Sequence, residues 1–155
     1  MAVHILSEER KTRLEHALDT KSVAIGVWLY RRTHGRITSL WRRRAIVLTT
    51  TGRRSGRDRT VLVQVFEDGS QLYVVAANSG MDRPPGWFHN LRAHPQLIGE
   101  LDGRRLQLRA DLLTEDDAAD KWPWILTIAP DYDRYERRLG RIPPIFRLVA
   151  DEQHQ

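Results

Sequence analysis

No cysteine occurs anywhere in the 155 residues of this chain. Disulfides, thiolate metal ligands and a cysteine nucleophile are therefore excluded. Lysine is almost as scarce: Lys11, Lys21 and Lys121 are the only three, so the net charge of +5 is carried by arginine. Long apolar runs are missing too. The most prominent one in the N-terminal part, Val23 to Tyr30, is too short to cross a bilayer, and it follows a charged segment rather than heading a secretory signal. A cytoplasmic protein is expected. The histidines show no H-x-x-x-H spacing, so no metal site is expected, and neither a G-x-S-x-G elbow nor a Walker sequence is present. The basic excess suits an anionic ligand, a nucleic acid or an acidic membrane surface.

What is present is most concentrated at Leu48 to Arg59, L-T-T-T-G-R-R-S-G-R-D-R. It follows the apolar run Ala45 to Leu48 and precedes an alternating stretch from Thr60 to Phe66. A strand enters a tight glycine turn full of guanidinium groups, and a second strand leaves it. Glycine lets the backbone turn with positive φ and present its N–H groups. Arginine adds planar forks that match phosphate or carboxylate oxygens two at a time. This turn is suited to hold an anion. A nucleic-acid strand is a poor fit, because residues 52–59 contain no aromatic ring on which a base would stack.

Around this turn the pattern predicts one antiparallel domain. Ser7 caps an expected helix to about Asp19, and a second helical stretch covers roughly 22–32. Beyond it, Trp28, Tyr30 and Trp41 lie among Arg31, Arg32, Arg36, Arg42, Arg43 and Arg44. Such a stretch packs one face on a core and solvates the other; contact with a membrane surface is its second reading. Strands are expected at about 45–51, 60–66, 71–77, 96–101 and 104–112, with turns at Asp68-Gly69 and Asp102-Gly103. A short helix is expected near 87–93. Thr114 with Asp117 opens another helix in capping-box style. Pro123 and Pro130 punctuate the chain after it, a short helix comes near 132–139, and Pro143-Pro144 leads into a final apolar piece. The expected fold is α+β, a small antiparallel barrel with flanking helices. Residues 1–155 read as a single domain, with 1–44 a helical segment leading into a barrel over 45–149.

A second motif runs from Val74 to Leu91, V-V-A-A-N-S-G-M-D-R-P-P-G-W-F-H-N-L. Small residues at a strand end, Ala76 and Ala77, let a flat ring approach the backbone, and Trp87 is placed to wall it by stacking. Tyr132 and Tyr135, three apart, share one helix face and are candidates to line a pocket. With no nucleophile, metal set or acid pair visible, the chemistry of an enzyme built this way comes from a bound cofactor.

These segments, together with P-D-Y-D-R-Y at 130–135, resemble the deazaflavin (coenzyme F420)-dependent nitroreductase family of actinobacteria. Its members read T-T-x-G-R-K-S-G-x-x-R, A-S-N-G-G, P-x-W-Y-H-N-L and P-x-Y-x-x-Y. The resemblance covers roughly Val27 to Leu148 with the spacing kept. It implies a split β-barrel like that of proteins binding flavin mononucleotide, with coenzyme F420 in a groove. Arg53, Arg54 and Arg59 would grip the cofactor's phosphodiester and acidic tail, with backbone donors around Ser55, Gly56 and Arg57. Ala76, Ala77 and Asn78 would lie along the ring, Pro85 and Trp87 would help enclose it, and Tyr132 and Tyr135 would face the substrate. Ala77 stands where the family commonly has serine, and Gln64 where relatives often carry an aromatic residue. The implied activity is hydride transfer to an electron-poor small molecule, a quinone, an activated alkene or a nitro compound. Two alternatives accompany it: a non-catalytic carrier of deazaflavin or a lipid-like ligand, and an oxidoreductase using flavin mononucleotide. Oligomeric state is left open by the residues.

Overall fold

In the computed structural model of this protein the described residues are 21, 23–36, 43–78 and 83–152. The expected first helix, capped by Ser7, lies outside them, as do Trp41, Arg42 and Ser79. Residues 23–32 form a helix, α1. Seven strands come next: β1 (Ala45–Thr51), β2 (Asp58–Gln64), β3 (Phe66–Asp68), β4 (Gln71–Val75), β5 (Gln96–Leu101), β6 (Arg104–Leu112) and β7 (Ile145–Ala150). Three further helices are α2 (Gly86–Ala93), α3 (Glu115–Ile128) and α4 (Asp133–Leu139), the last preceded by a tight 3-10 turn at Pro130–Tyr132.

All strand pairs are antiparallel, in the order β2-β1-β5-β6-β7-β4-β3. The two edge strands, β2 and β3, are neighbours in the chain, separated only by Val65. The sheet must therefore curl until its edges meet at that residue, which gives a barrel. Val65 is buried, and its N–H donates to the carbonyl of Arg44 at 3.0 Å, carrying the β1–β2 register one position further before the chain crosses to β3. The stretch expected as one strand over 60–66 is thus two. The final apolar piece is β7, and it lies inside the sheet between β6 and β4.

Period-two alternation explains the core. On β1, Ile46 and Leu48 point into the barrel, while Val47 packs outward on Val27 and Tyr30 of α1. On β4 and just beyond it, Val74 and Ala76 face inward, whereas Tyr73, Val75 and Ala77 face α3. Strands covered on both faces read as unbroken apolar runs, as A-I-V-L and V-V-A-A do. Trp87, Phe88 and Leu91 of α2 join the interior cluster with Phe146 of β7. α1 is half-buried: Val27 and Tyr30 are covered, while Ile25 and Trp28 are exposed.

α3 begins as expected, with the Thr114 hydroxyl accepting from the N–H of Asp117 at 3.2 Å. It does not stop at Pro123. That residue sits on the exposed side, and buried Trp122 and Ile125 on either side carry the helix through to Ile128. Burying these side chains offsets the lost backbone hydrogen bond.

Candidate functional site

The basic turn between β1 and β2 is a closed knot of hydrogen bonds. Gly52 N–H donates to the Arg57 carbonyl and Gly56 N–H to the Gly52 carbonyl, both at 2.8 Å. A Cβ at Gly52 would lie 2.8 Å from Ser55 Oγ and 3.1 Å from the Arg57 carbonyl, so no side chain fits there. Gly56 has φ of +67°, which glycine adopts without strain. The Arg57 N–H is bonded to Ser55 Oγ at 3.2 Å. The backbone donors of Gly56 and Arg57, expected to face an anion, are thus engaged within the turn. Those of Arg54 and Ser55 have no partner among the described residues.

A residue outside the expected set fixes this turn from below. Asn90 is buried on α2; its Oδ1 accepts from the Arg53 N–H at 3.1 Å, and its Nδ2 donates to Thr50 Oγ1 at 3.2 Å. One side chain thus ties the helix to the strand end and to the turn. Its signal in the sequence was a polar residue three positions after Trp87, on the face that α2 turns to the core.

Gly52, Arg53, Arg54, Ser55, Arg59 and Asn90 enclose a cleft of about 180 Å³, and no carboxylate lines it. Arg57 and Gly56 are not part of its wall. Among the described residues, the guanidinium groups of Arg53, Arg54, Arg57 and Arg59 make no ion pair. By contrast Arg31, Arg43, Arg44, Arg109 and Arg137 are each paired with a carboxylate. Clustered, unneutralised guanidinium groups repel one another until an anion joins them. A larger cleft, about 280 Å³, is lined by Tyr30, Arg31, His34, Glu100, Gly103, Arg104 and Arg105. It lies at the other end of β1, roughly 20 Å away along seven extended residues, and in it Arg31 is already held by Glu100 at 2.8 Å.

α2 connects the turn to the second motif. Pro85 is its N-cap, and Trp87 sits in the interior cluster with Ala76, its ring 6.2 Å from that of Phe146. Trp87 is only 8% exposed, so most of its ring is spent on the core. Ala76 N–H donates to the Pro144 carbonyl at 2.8 Å, carrying the β4–β7 register one position past the strand ends. Asn78 takes a left-handed conformation, φ +39°, and its Nδ2 donates to the Arg83 carbonyl at 2.8 Å. Ala77 lies in the outer cluster, which Tyr132 and Tyr135 also join.

The two tyrosines face each other edge to face, 5.0 Å between ring centres, and Tyr132 meets Phe66 at 5.6 Å. Burial, with the Tyr135 phenol beside it, pushes the Tyr132 hydroxyl up to about 12. It stays protonated throughout the physiological range, and so acts as a hydrogen-bond donor rather than a base. The structure therefore brings together Arg53, Arg54, Ser55 and Arg59 in one place, and Ala77, Tyr132 and Tyr135 in another, with α2 between the turn and Ala76.

The antiparallel barrel thus carries an anion cleft with unneutralised arginines at one place and an aromatic cluster at another. Comparison with known proteins gives the class. Residues 22–150 match the family model described as F420H(2)-dependent quinone reductase. An F420H(2)-dependent quinone reductase of Mycobacterium tuberculosis is 30% identical over 126 residues, spanning 78% of this chain and 85% of that protein. A solved F420-H2 dependent reductase superposes with a TM-score of 0.62 at 25% identity, covering 68% of this chain and 93% of that one. A structure described as a domain-swapped dimer gives the same TM-score and identity, over 68% and 79%. The chain belongs to the F420H(2)-dependent quinone reductase family. It is a split-barrel oxidoreductase whose cofactor is coenzyme F420. The unpaired guanidinium cluster fits the phosphodiester and acidic tail of that cofactor. No helix among the described residues is long and apolar enough to cross a membrane.

Proposed function

We propose that this chain reduces a quinone with coenzyme F420 held between the basic turn and the Ala76–Asn78 segment. The observation that carries the reading is the pairing of a multivalent anion cleft with an apolar aromatic cluster that includes Ala77, Phe66, Tyr132 and Tyr135. When bound in its reduced form, the cofactor supplies a hydride. Arg53, Arg54 and Arg59 hold its charged end, and the N–H groups of Arg54 and Ser55 are free to join them. In this reading the Ala76–Asn78 segment lies along the ring, and Pro85 and Trp87 fix the start of α2. On the acceptor side, an aromatic wall favours a flat, apolar molecule over a charged one. The neutral Tyr132 hydroxyl hydrogen-bonds the acceptor oxygen as it gains charge, and Tyr135 shapes the same wall. No acid–base residue is required beyond this, since orientation of reacting atoms supplies most of the advantage.

The test is single-turnover oxidation of reduced coenzyme F420 by menadione, compared with a nitro compound and an activated alkene. Menadione is expected to react fastest. Tyr132→Phe is expected to slow its reduction by about ten- to a hundredfold, in the range of one lost charge-stabilising donor. Tyr135→Phe is expected to slow it less, and cofactor affinity should stay unchanged in both. Tight cofactor binding without turnover of any acceptor would instead indicate a carrier. Equal rates in parent and Tyr132→Phe would make the tyrosine a packing residue.

A further inference from the structure

Arg43 belongs to the basic stretch that the sequence presents as solvated surface, yet it is turned toward the tyrosines. Its two terminal nitrogens form a fork on the Asp131 carboxylate, Nη1 at 3.2 Å from Oδ2 and Nη2 on Oδ1. Nη1 also donates to Gln64 Oε1 at 3.4 Å. The fork and the carboxylate are planar and matched, the geometry in which arginine is least replaceable by a point charge. The guanidinium holds Asp131 below the usual carboxylate range, so the pair is intact at neutral pH.

Asp131 sits in the 3-10 turn immediately before Tyr132. Neither that turn nor α4 contributes a buried residue of its own. The segment is placed by the partly buried Tyr132 and Tyr135, packed on the outer cluster, together with its polar ties. Two polar ties are present. Trp122 Nε1–H donates to Glu136 at 2.7 Å and fastens α4 to α3. The Arg43 fork fastens the tyrosine-bearing turn to the start of β1 and the end of β2. Gln64 supports this from the barrel side: its Nε2 is shut off from water and has no partner among the described residues. Such a donor is costly to leave unmatched, so what the amide contributes at this place is its carbonyl, and the carbonyl meets Arg43.

We propose that Arg43 is a positioning residue for the acceptor: by bridging Gln64 at the end of β2 and Asp131, it fixes Tyr132 and Tyr135 against Ala77 and Phe66. The clamp rests on the acceptor-side role of the tyrosines in the proposed function. It involves neither the basic turn nor the cofactor's charged end, so its effects should appear in acceptor affinity and turnover and not in cofactor affinity.

The experiment compares the parent with Arg43→Gln, Asp131→Asn, the double variant and Arg43→Lys in two readouts. One is menadione KM and kcat in the cofactor-loaded enzyme. The other is amide hydrogen exchange over residues 130–139 in the chain without cofactor. Each single variant should raise the menadione KM by about fivefold, the scale of a half-exposed but bidentate pair. The Kd for coenzyme F420 should stay within about twofold, while menadione kcat falls along with the rise in KM, because the Tyr132 donor loses its place. The double variant should match the singles, because one interaction is removed only once. Arg43→Lys should recover part of the loss, and exchange over 130–139 should speed up in Arg43→Gln. An unchanged KM in Arg43→Gln, or single effects that multiply in the double variant, would overturn the proposal. If the parent does not reduce menadione, the quinone reading falls. Exchange then decides alone: faster exchange in Arg43→Gln sustains the clamp, and parent-like exchange ends it.

Discussion

Arg54→Ala and Arg59→Ala are each expected to weaken binding of coenzyme F420 by about ten- to a hundredfold. A hydrogen bond to a charged group contributes about 1.5–3 kcal/mol, and each 1.4 kcal/mol is about tenfold in affinity. Both side chains line the cleft at the basic turn, and neither is held by a carboxylate among the described residues. Their charge is therefore available to the ligand and is not already neutralised. Arg57→Ala should do less, since Arg57 lies off the cleft wall although it belongs to the same turn. Arg104→Ala, on the hairpin at the far end of β1, should do little. Calorimetric titration of the four variants checks this ordering. Equal losses in all four would mean that the basic charge acts diffusely, with no site.

The second large effect is on stability. Phe146 is 1% exposed in the middle of the sheet, and its ring meets Phe88 at 5.6 Å and Trp87 at 6.2 Å. Phe146→Ala should destabilise the fold by about 3–5 kcal/mol, through lost burial and the cavity left behind. At about 2–4 °C per kcal/mol for a chain of this size, the melting temperature falls by roughly 6–20 °C. Ile128→Ala, at a helix end that is 43% exposed, should change stability by no more than about 0.5 kcal/mol. Thermal unfolding of both variants is the check, and similar shifts would contradict the assignment of the core. Phe146 also seats α2, which carries Asn90. Its loss should therefore loosen the basic turn well below the melting transition.

Much of the fold was legible because local chemistry and tertiary structure agree. The strands at 45–51, 96–101 and 104–112 stand where alternation and the Asp102-Gly103 turn put them. The break at Val65 was not legible, since V-L-V-Q-V-F alternates without any turn residue. The chain leaves one sheet edge there only because the barrel must close. β7 was hidden because I-F-R-L-V-A is a short, mainly apolar run without a clean alternation to reveal it. Pro123 reads as a helix end, and burial of Trp122 and Ile125 overrides it.

At the site, the basic turn was readable because glycine spacing and arginine density are local features. Asn90 was not, because its work is done across 37 and 40 residues of sequence, at Arg53 and Thr50. Arg43 was hidden in the same way among the other arginines of its stretch. Only its partner Asp131, 88 residues away, separates it from a solvated face.

The most direct test is a pair of calorimetric titrations of the purified chain, one with coenzyme F420 and one with flavin mononucleotide, at low and raised salt. The expected result is tighter binding of coenzyme F420 by about tenfold or more, the equivalent of at least one further charged contact. That preference should shrink as salt screens the exposed guanidinium groups. Equal affinities, or a preference for flavin mononucleotide, would contradict a basic turn that selects the cofactor by its extended anionic tail.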